Sequence, residues 1–190
     1  MSVTVRRAGP DDLAALESLC EVESHILEKH WGPYDLSRLL ERSAHGCCAL
    51  DEKGHIIGFA FFHYYPIIGD FRPASWLDEL AVSWSVDDMP DLDVTNSMVL
   101  SFFFAEHLYE EEVLLEITKM AFAIFDEIER IFLFIPSLVP LFTPLIGNFE
   151  PLVSLLDNDT MEAPTVSAYY TSRRDYTGLA IMLHQICSPM

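Results

Sequence analysis

The stretch Ser97–Leu108 constrains this chain more than any other, because it is a near-continuous apolar run with Phe102, Phe103 and Phe104 in succession. A strand with one wet face alternates apolar and polar residues, whereas a run that is apolar at both parities has to be covered on both sides. The segment is therefore expected to be the central strand of a sheet with helices packed on its two faces. Directly after it, Val113, Ile117, Met120, Ala121, Ile124 and Ile128 recur at helical spacing, with Glu112, Glu116, Lys119 and Glu127 between them. That pattern predicts a long amphipathic helix. Ile131–Ile135 follows as a second buried strand.

The flanking segments fit the same α/β scheme. Val3 and Val5 alternate with Thr4 and Arg6 and run into Gly9-Pro10-Asp11-Asp12, a turn whose carboxylates suit a helix start. Leu13, Leu16, Leu19, Cys20 and Ile26 predict a first helix, and Leu36, Leu39 and Leu40 a second behind an N-cap at Asp35. Cys47–Leu50 and His55–Tyr65 read as antiparallel strands joined at Asp51-Glu52-Lys53-Gly54, where the glycine supplies a positive φ. Residues 66–96 lose periodicity and carry Asp70, Asp78, Glu79, Asp87, Asp88, Asp91 and Asp93 against Arg72 alone, which reads as a long acidic surface excursion. A short helix between Leu138 and Leu156 and two closing strands, Thr165–Thr171 and Gly178–Ile186, complete the chain. No linker or repeat divides residues 1–190, so a single domain is expected.

Charge narrows the function. The net charge of −19, from 30 acidic and 11 basic side chains, repels phosphate backbones and anionic membranes, so neither nucleic acid nor a membrane is an expected partner. Ile131–Ile146, the longest apolar region, holds Pro136, Pro140 and Pro144 and is too short for a span. Cys20, Cys47, Cys48 and Cys187 form neither a CxxC pair nor a zinc-ligand spacing, and the start lacks a secretion signal, so free thiols in a reducing, intracellular setting are expected.

The order of elements and the opening Val-Arg-Arg-Ala-Gly-Pro-Asp-Asp-Leu resemble the GCN5-related N-acetyltransferase (GNAT) fold, a mixed central sheet flanked by helices. A narrower likeness is carried by Tyr64-Tyr65-Pro66, Trp76-Leu77, Thr95-Asn96-Ser97, Phe102-Phe103-Phe104 and Phe132-Leu133-Phe134-Ile135-Pro136-Ser137. These resemble the N-terminal domain of the cilia- and flagella-associated protein 61 family. The resemblance implies a structural place in the axoneme of motile cilia or flagella, at the base of a radial spoke, among axonemal and spoke proteins and a calmodulin-containing complex. It also implies larger members with further domains, of which this chain would be a fragment or a short relative.

Chemistry at the expected cofactor position argues against catalysis. Acetyltransferases seat the coenzyme A pyrophosphate on a glycine-rich turn between the central strand and the long helix, where backbone amides and the helix dipole face the anion. Here that junction reads His107-Leu108-Tyr109-Glu110-Glu111-Glu112, and no glycine occurs between Gly69 and Gly147. Cβ atoms hinder close backbone approach and three carboxylates repel a pyrophosphate; as acidic residues at a helix N-terminus they need no other role. Glu106 as base and Tyr176 as acid could serve a substrate amine, but a partly buried, hydrogen-bonded Glu and an exposed loop Tyr account for the same residues. Asp91-Leu92-Asp93-Val94-Thr95 starts like a calcium loop yet has Asn96 for the glycine and Phe102 for the closing Glu, and Asp157-Asn158-Asp159 fails similarly.

The reading is thus a non-catalytic docking domain without cofactor or metal. Its interface candidates are Phe71, Trp76, Trp84, Asp87 and Asp88 of the excursion and the basic pair Arg173 and Arg174. For the aromatic three, capping the core beneath a loop is the competing role. Tubulin surfaces are acidic, so docking on them by charge is disfavoured. The alternatives are an acetyl-coenzyme A-dependent N-acetyltransferase with a degenerate cradle and a small-molecule sensor that keeps the fold's cleft for another ligand.

Overall fold

The computed structural model describes residues 3–67, 76–83, 93–136, 139–141, 143–152 and 166–176. Its elements in chain order are β1 (Thr4–Arg7), α1 (Leu13–Glu21), α2 (Ser24–Trp31), α3 (Leu36–Arg42), β2 (His45–Leu50), β3 (Ile56–His63), α4 (Trp76–Ser83), β4 (Ser97–Ala105), α5 (Glu110–Ile124), β5 (Arg130–Pro136), α6 (Thr143–Asn148), β6 (Glu150–Pro151) and β7 (Val166–Ser172). Short 3-10 turns precede α1 and β4 at Pro10–Asp12 and Val94–Asn96.

The sheet is mixed, in the order β1-β2-β3-β4-β5-β7-β6. β4 sits fourth, with all nine of its residues buried, as its two-sided apolar pattern requires. Only the β4–β5 pair is parallel among the described strands, and it is short: register runs from Ser97↔Arg130 to Leu100↔Leu133 and stops, although β4 continues to Ala105 and β5 to Pro136. Between β3 and β4 the register slips at Phe61/Phe62, so that Phe61 faces Phe102 and Phe62 faces Leu100. Ser101 is left without a register partner in either neighbour, an extra residue of the kind that bends a strand.

Local chemistry sets the entry to each element. Asp12 accepts from Gly9 N at 2.8 Å and pairs with Arg6 at 2.7 Å, fixing the turn from β1 into α1. That hydrogen-bonded pairing holds its carboxyl below the usual range. Asp35 caps α3 by accepting from Arg38 N at 3.0 Å. Gly54 closes the β2–β3 hairpin at φ 83°, with Asp51 accepting from Lys53 N and His55 N. Gly58 lets β3 approach α5 closely, since a Cβ there would lie 2.7 Å from Val113 Cγ1 and 2.9 Å from Phe104 O.

Several expectations are corrected. The first predicted helix is two: α1 tightens where Glu23 N donates to Cys20 O, and after this break the inward phase passes to Leu27 while Ile26 is 46% exposed. α5 ends at Ile124, itself half exposed, so the buried Ile128 belongs to the connection. The excursion is not structureless, because α4 buries Trp76, Leu77 and Leu80 at helical spacing. β4 stops at Ala105, three residues short of Leu108, which is 88% exposed. The helix expected within 138–156 is the six-residue α6, followed by β6; the strand expected at 178–186 lies outside the described residues.

Candidate functional site

Two regions meet around β4: the start of α5 at its C-terminal end and a cavity beside its middle. At the first, Tyr109 N donates to Glu106 O at 2.8 Å and Val113 N to Tyr109 O at 2.8 Å, which turns the chain directly from strand into helix. Glu110, Glu111 and Glu112 form the first turn of α5. The first amides of a helix lack intrahelical acceptors and carry the positive end of its dipole, so the carboxylates are placed favourably. His107 Nδ1 lies 3.4 Å from Glu110 Oε2. Glu110 also lines a cleft of only about 80 Å³ with Glu23, Ile26, His30 and Phe104.

The second region is larger. Trp31, Tyr34, Arg38, Arg42, His63, Ser101 and Phe134 are among the residues around a cavity of about 540 Å³, bounded by the α2–α3 connection, α3, the end of β3 and the stretch where β4 and β5 part. Phe102 anchors its wall, with ring centroids 5.6 Å from Trp31 and 4.9 Å from Tyr34. Burial pushes the His63 imidazole down to about 4, so the ring is neutral near pH 7.

The aromatic and basic candidates fall differently. Trp76 is fully buried, lies edge-on to Phe132 at 5.3 Å and Phe134 at 6.0 Å, and donates Nε1–H to Tyr64 O at 3.1 Å. It caps the core and is not an interface anchor. Arg173 is built into the fold: its Nε donates to Ile128 O at 2.8 Å, its Nη2 to Phe125 O, and its guanidinium lies 5.3 Å from the Phe122 ring centroid. The pair of basic residues is therefore no free docking island, although Arg174 is exposed. Phe71, Trp84, Asp87 and Asp88 lie outside the described residues.

The proposed acid–base pair is placed the other way round from expectation. Glu106 is exposed, whereas Tyr176 is buried, its ring tilted against Phe122 at 5.4 Å between centroids, and raised in pKa by burial. Asp93, from the calcium-like stretch, instead caps the turn before β4 by accepting from Thr95 N at 2.9 Å. Among the described residues no His, Cys, Asp or Glu cluster suits a metal ion, and no helix is long and apolar enough to cross a membrane. Cys20, Cys47 and Cys48 are buried free thiols, as expected; Cys187 lies outside the described residues.

The cavity residues were not singled out by sequence reasoning. A signal existed: Ser101 and His63 are polar residues inside otherwise apolar strands, and such interruptions need a partner when buried.

Comparison with known proteins agrees with this architecture. The chain is similar to a crystal structure of aminoglycoside acetyltransferase AAC(6')-Ib with coenzyme A, at TM-score 0.58 and 19% identity over 94% of this chain and 99% of that one. It is also similar to spermidine N-acetyltransferase from Vibrio cholerae with CoA and spermine, at TM-score 0.56 and 12% identity over 92% and 98%. At such identity the likeness shows the fold, which is that of the GNAT enzymes. No curated protein matches the sequence. The sequence profile for the N-terminal domain of cilia- and flagella-associated protein 61 matches residues 4–181, nearly the whole chain. This GNAT-like chain therefore belongs to the cilia- and flagella-associated protein 61 family, within its N-terminal domain.

Proposed function

We propose that this domain is a non-catalytic docking part of the motile cilium or flagellum axoneme, at a radial spoke base, held by spoke proteins and a calmodulin-containing complex. The observation that carries the reading is the start of α5. Glu110, Glu111 and Glu112 occupy the helix turn where an acetyltransferase receives pyrophosphate, and the adjoining cleft of about 80 Å³ is edged by Glu23 and Glu110. Two like unit charges about 4 Å apart near a protein surface repel by about 4 kcal/mol before salt screens them, so a pyrophosphate gains no stabilisation from these neighbours.

Partner contact is assigned to the segment carrying Phe71, Trp84, Asp87 and Asp88, and the charge of −19 favours a basic protein surface over acidic tubulin. Calorimetry with acetyl-coenzyme A tests the absence of a cofactor: no heat of binding is expected. Micromolar binding abolished by substitutions at Glu110–Glu112 would overturn the docking reading. In motile cells a tagged copy is expected to stay with the axoneme after detergent extraction, and complete release into the soluble fraction would refute the placement. The parting of β4 from β5 beyond Leu100 and Leu133 favours a second reading, an acetyltransferase with an altered cradle, which the same calorimetry decides.

A further inference from the structure

The cavity beside β4 is ringed by polar groups that the fold leaves unmatched. Trp31 Nε1, His63 Nδ1 and Ser101 Oγ are buried without a hydrogen-bond partner among the described residues, and all three residues line this one cavity. Trp31 and Ser101 are each 9% exposed and His63 is 2% exposed. Buried polar atoms are almost always paired, so three around one space call for a polar occupant. The slip in the β3–β4 register is what turns Ser101 out of the sheet's ladder, and the parting of β4 from β5 opens the space beside it.

Charge selects the occupant. Arg38 and Arg42 are exposed, lie one turn apart on α3, line the same cavity and have no ion pair among the described residues. Two guanidinium groups left to a ligand are notable in a chain with 11 basic residues against 30 acidic ones. Among the described lining residues the one acidic group, Asp35, already accepts from Arg38 N. An amine would therefore meet one carboxylate beside two positive charges, whereas a carboxylate would meet two forks that suit its geometry. Much of the remaining described lining is apolar, from Leu39, Ile67, Val99, Phe102 and Phe134.

We propose that this cavity binds a small aromatic or aliphatic carboxylate, its carboxylate held by Arg38 and Arg42 and a polar group at its other end held by Trp31, His63 and Ser101. Docking on the axoneme is a separate property, so either reading can fail alone. A neutral His63 can present Nδ1 as donor or acceptor, which lets the inner end take a hydroxyl. Binding of the anion also removes part of the repulsion between the two arginines.

The test uses 3-(4-hydroxyphenyl)propionate as probe, with its uncharged amide and with phenylpropionate, which lacks the hydroxyl. The indole N–H resonance of Trp31 in the 190-residue chain is followed by nuclear magnetic resonance during titration. A saturable shift is expected with the acid, and the amide should bind at least about ten-fold more weakly because a charge-assisted pair is lost. The double variant Arg38→Gln/Arg42→Gln changes exposed positions only; it should lower affinity for the acid by a similar factor and leave the amide unaffected. Phenylpropionate should bind more weakly than the hydroxylated acid. No saturable shift, equal affinity for acid and amide, or full affinity in the double variant would each overturn the proposal.

Discussion

Replacing Trp76 with alanine asks whether α4 belongs to the core or to a docking surface. The indole has no exposed surface, meets Phe132 and Phe134 edge-on at 5.3 and 6.0 Å, and donates to Tyr64 O. Truncating a buried tryptophan to alanine costs about 3–5 kcal/mol, from lost burial and the cavity left behind. About 1 kcal/mol of this belongs to the indole donor, so Trp76→Phe, which keeps a ring without the donor, isolates a much smaller loss. For a domain of this length each kcal/mol moves the melting temperature by about 2–4 °C, so Trp76→Ala should lower it by about 6–20 °C. Urea unfolding followed by far-ultraviolet circular dichroism should show a lower midpoint at an unchanged m value. An unchanged midpoint together with weaker retention on axonemes would make Trp76 a surface anchor and refute the packing argument.

Other substitutions separate distinct mechanisms. Gly58→Ala should cost about 1–3 kcal/mol or more by overpacking, because its Cβ would press on Val113 and on the Phe104 backbone; a loss under about 0.5 kcal/mol in urea titration would contradict this. Gly54→Ala has open space and pays only for its left-handed backbone at φ 83°, about 1 kcal/mol in the same assay. His63 titrates near 4 in the fold against an ordinary 6.5, so the unfolded chain binds the extra proton between these values. Stability is then full above pH 6.5 and falls as pH drops toward 4, with His45 adding the same sign; His63→Gln should shrink the difference between urea midpoints measured at neutral and at mildly acidic pH. Arg173→Ala should cost about 1–3 kcal/mol in the same unfolding assay, since Ile128 O and Phe125 O lose charged donors and Phe122 its cation contact; a neutral result would show the residue to be surface decoration.

Strong periodicity and strong turn chemistry made much of the fold legible. The Phe102-Phe103-Phe104 run located the central strand, Glu110–Glu112 the start of the long helix, Asp35 an N-cap and Gly54 a hairpin, because each of these is decided by neighbours in the chain. What the sequence hid depended on partners distant in the chain. Trp76, Leu77 and Leu80 span too few residues to outweigh the surrounding carboxylates, and they become core only against Phe132 and Phe134. Tyr176 looked like loop because nothing local places it on Phe122. The cavity was least visible, since its polar residues come from α2, α3, β3 and β4, and Ser101 turns into it through a register slip that no spacing rule announces. Arg38 and Arg42 carry no local signal of their own, since charged side chains on the outer face of a helix are the ordinary case.

The short parallel seam also has a mechanical consequence. Among the described residues, two antiparallel half-sheets are joined by four register pairs, Ser97 with Arg130 through Leu100 with Leu133. A load drawn across the sheet falls on those few hydrogen bonds together, while β2–β3 and β5–β7 distribute theirs over longer ladders. Trp76 is set over this joint, in one cluster with Val99 on the near strand and Phe132 and Phe134 on the far one. α4 therefore works as a rivet. Under such a load this is the line along which the domain would yield first, and the packing of Trp76 helps set how readily it does so.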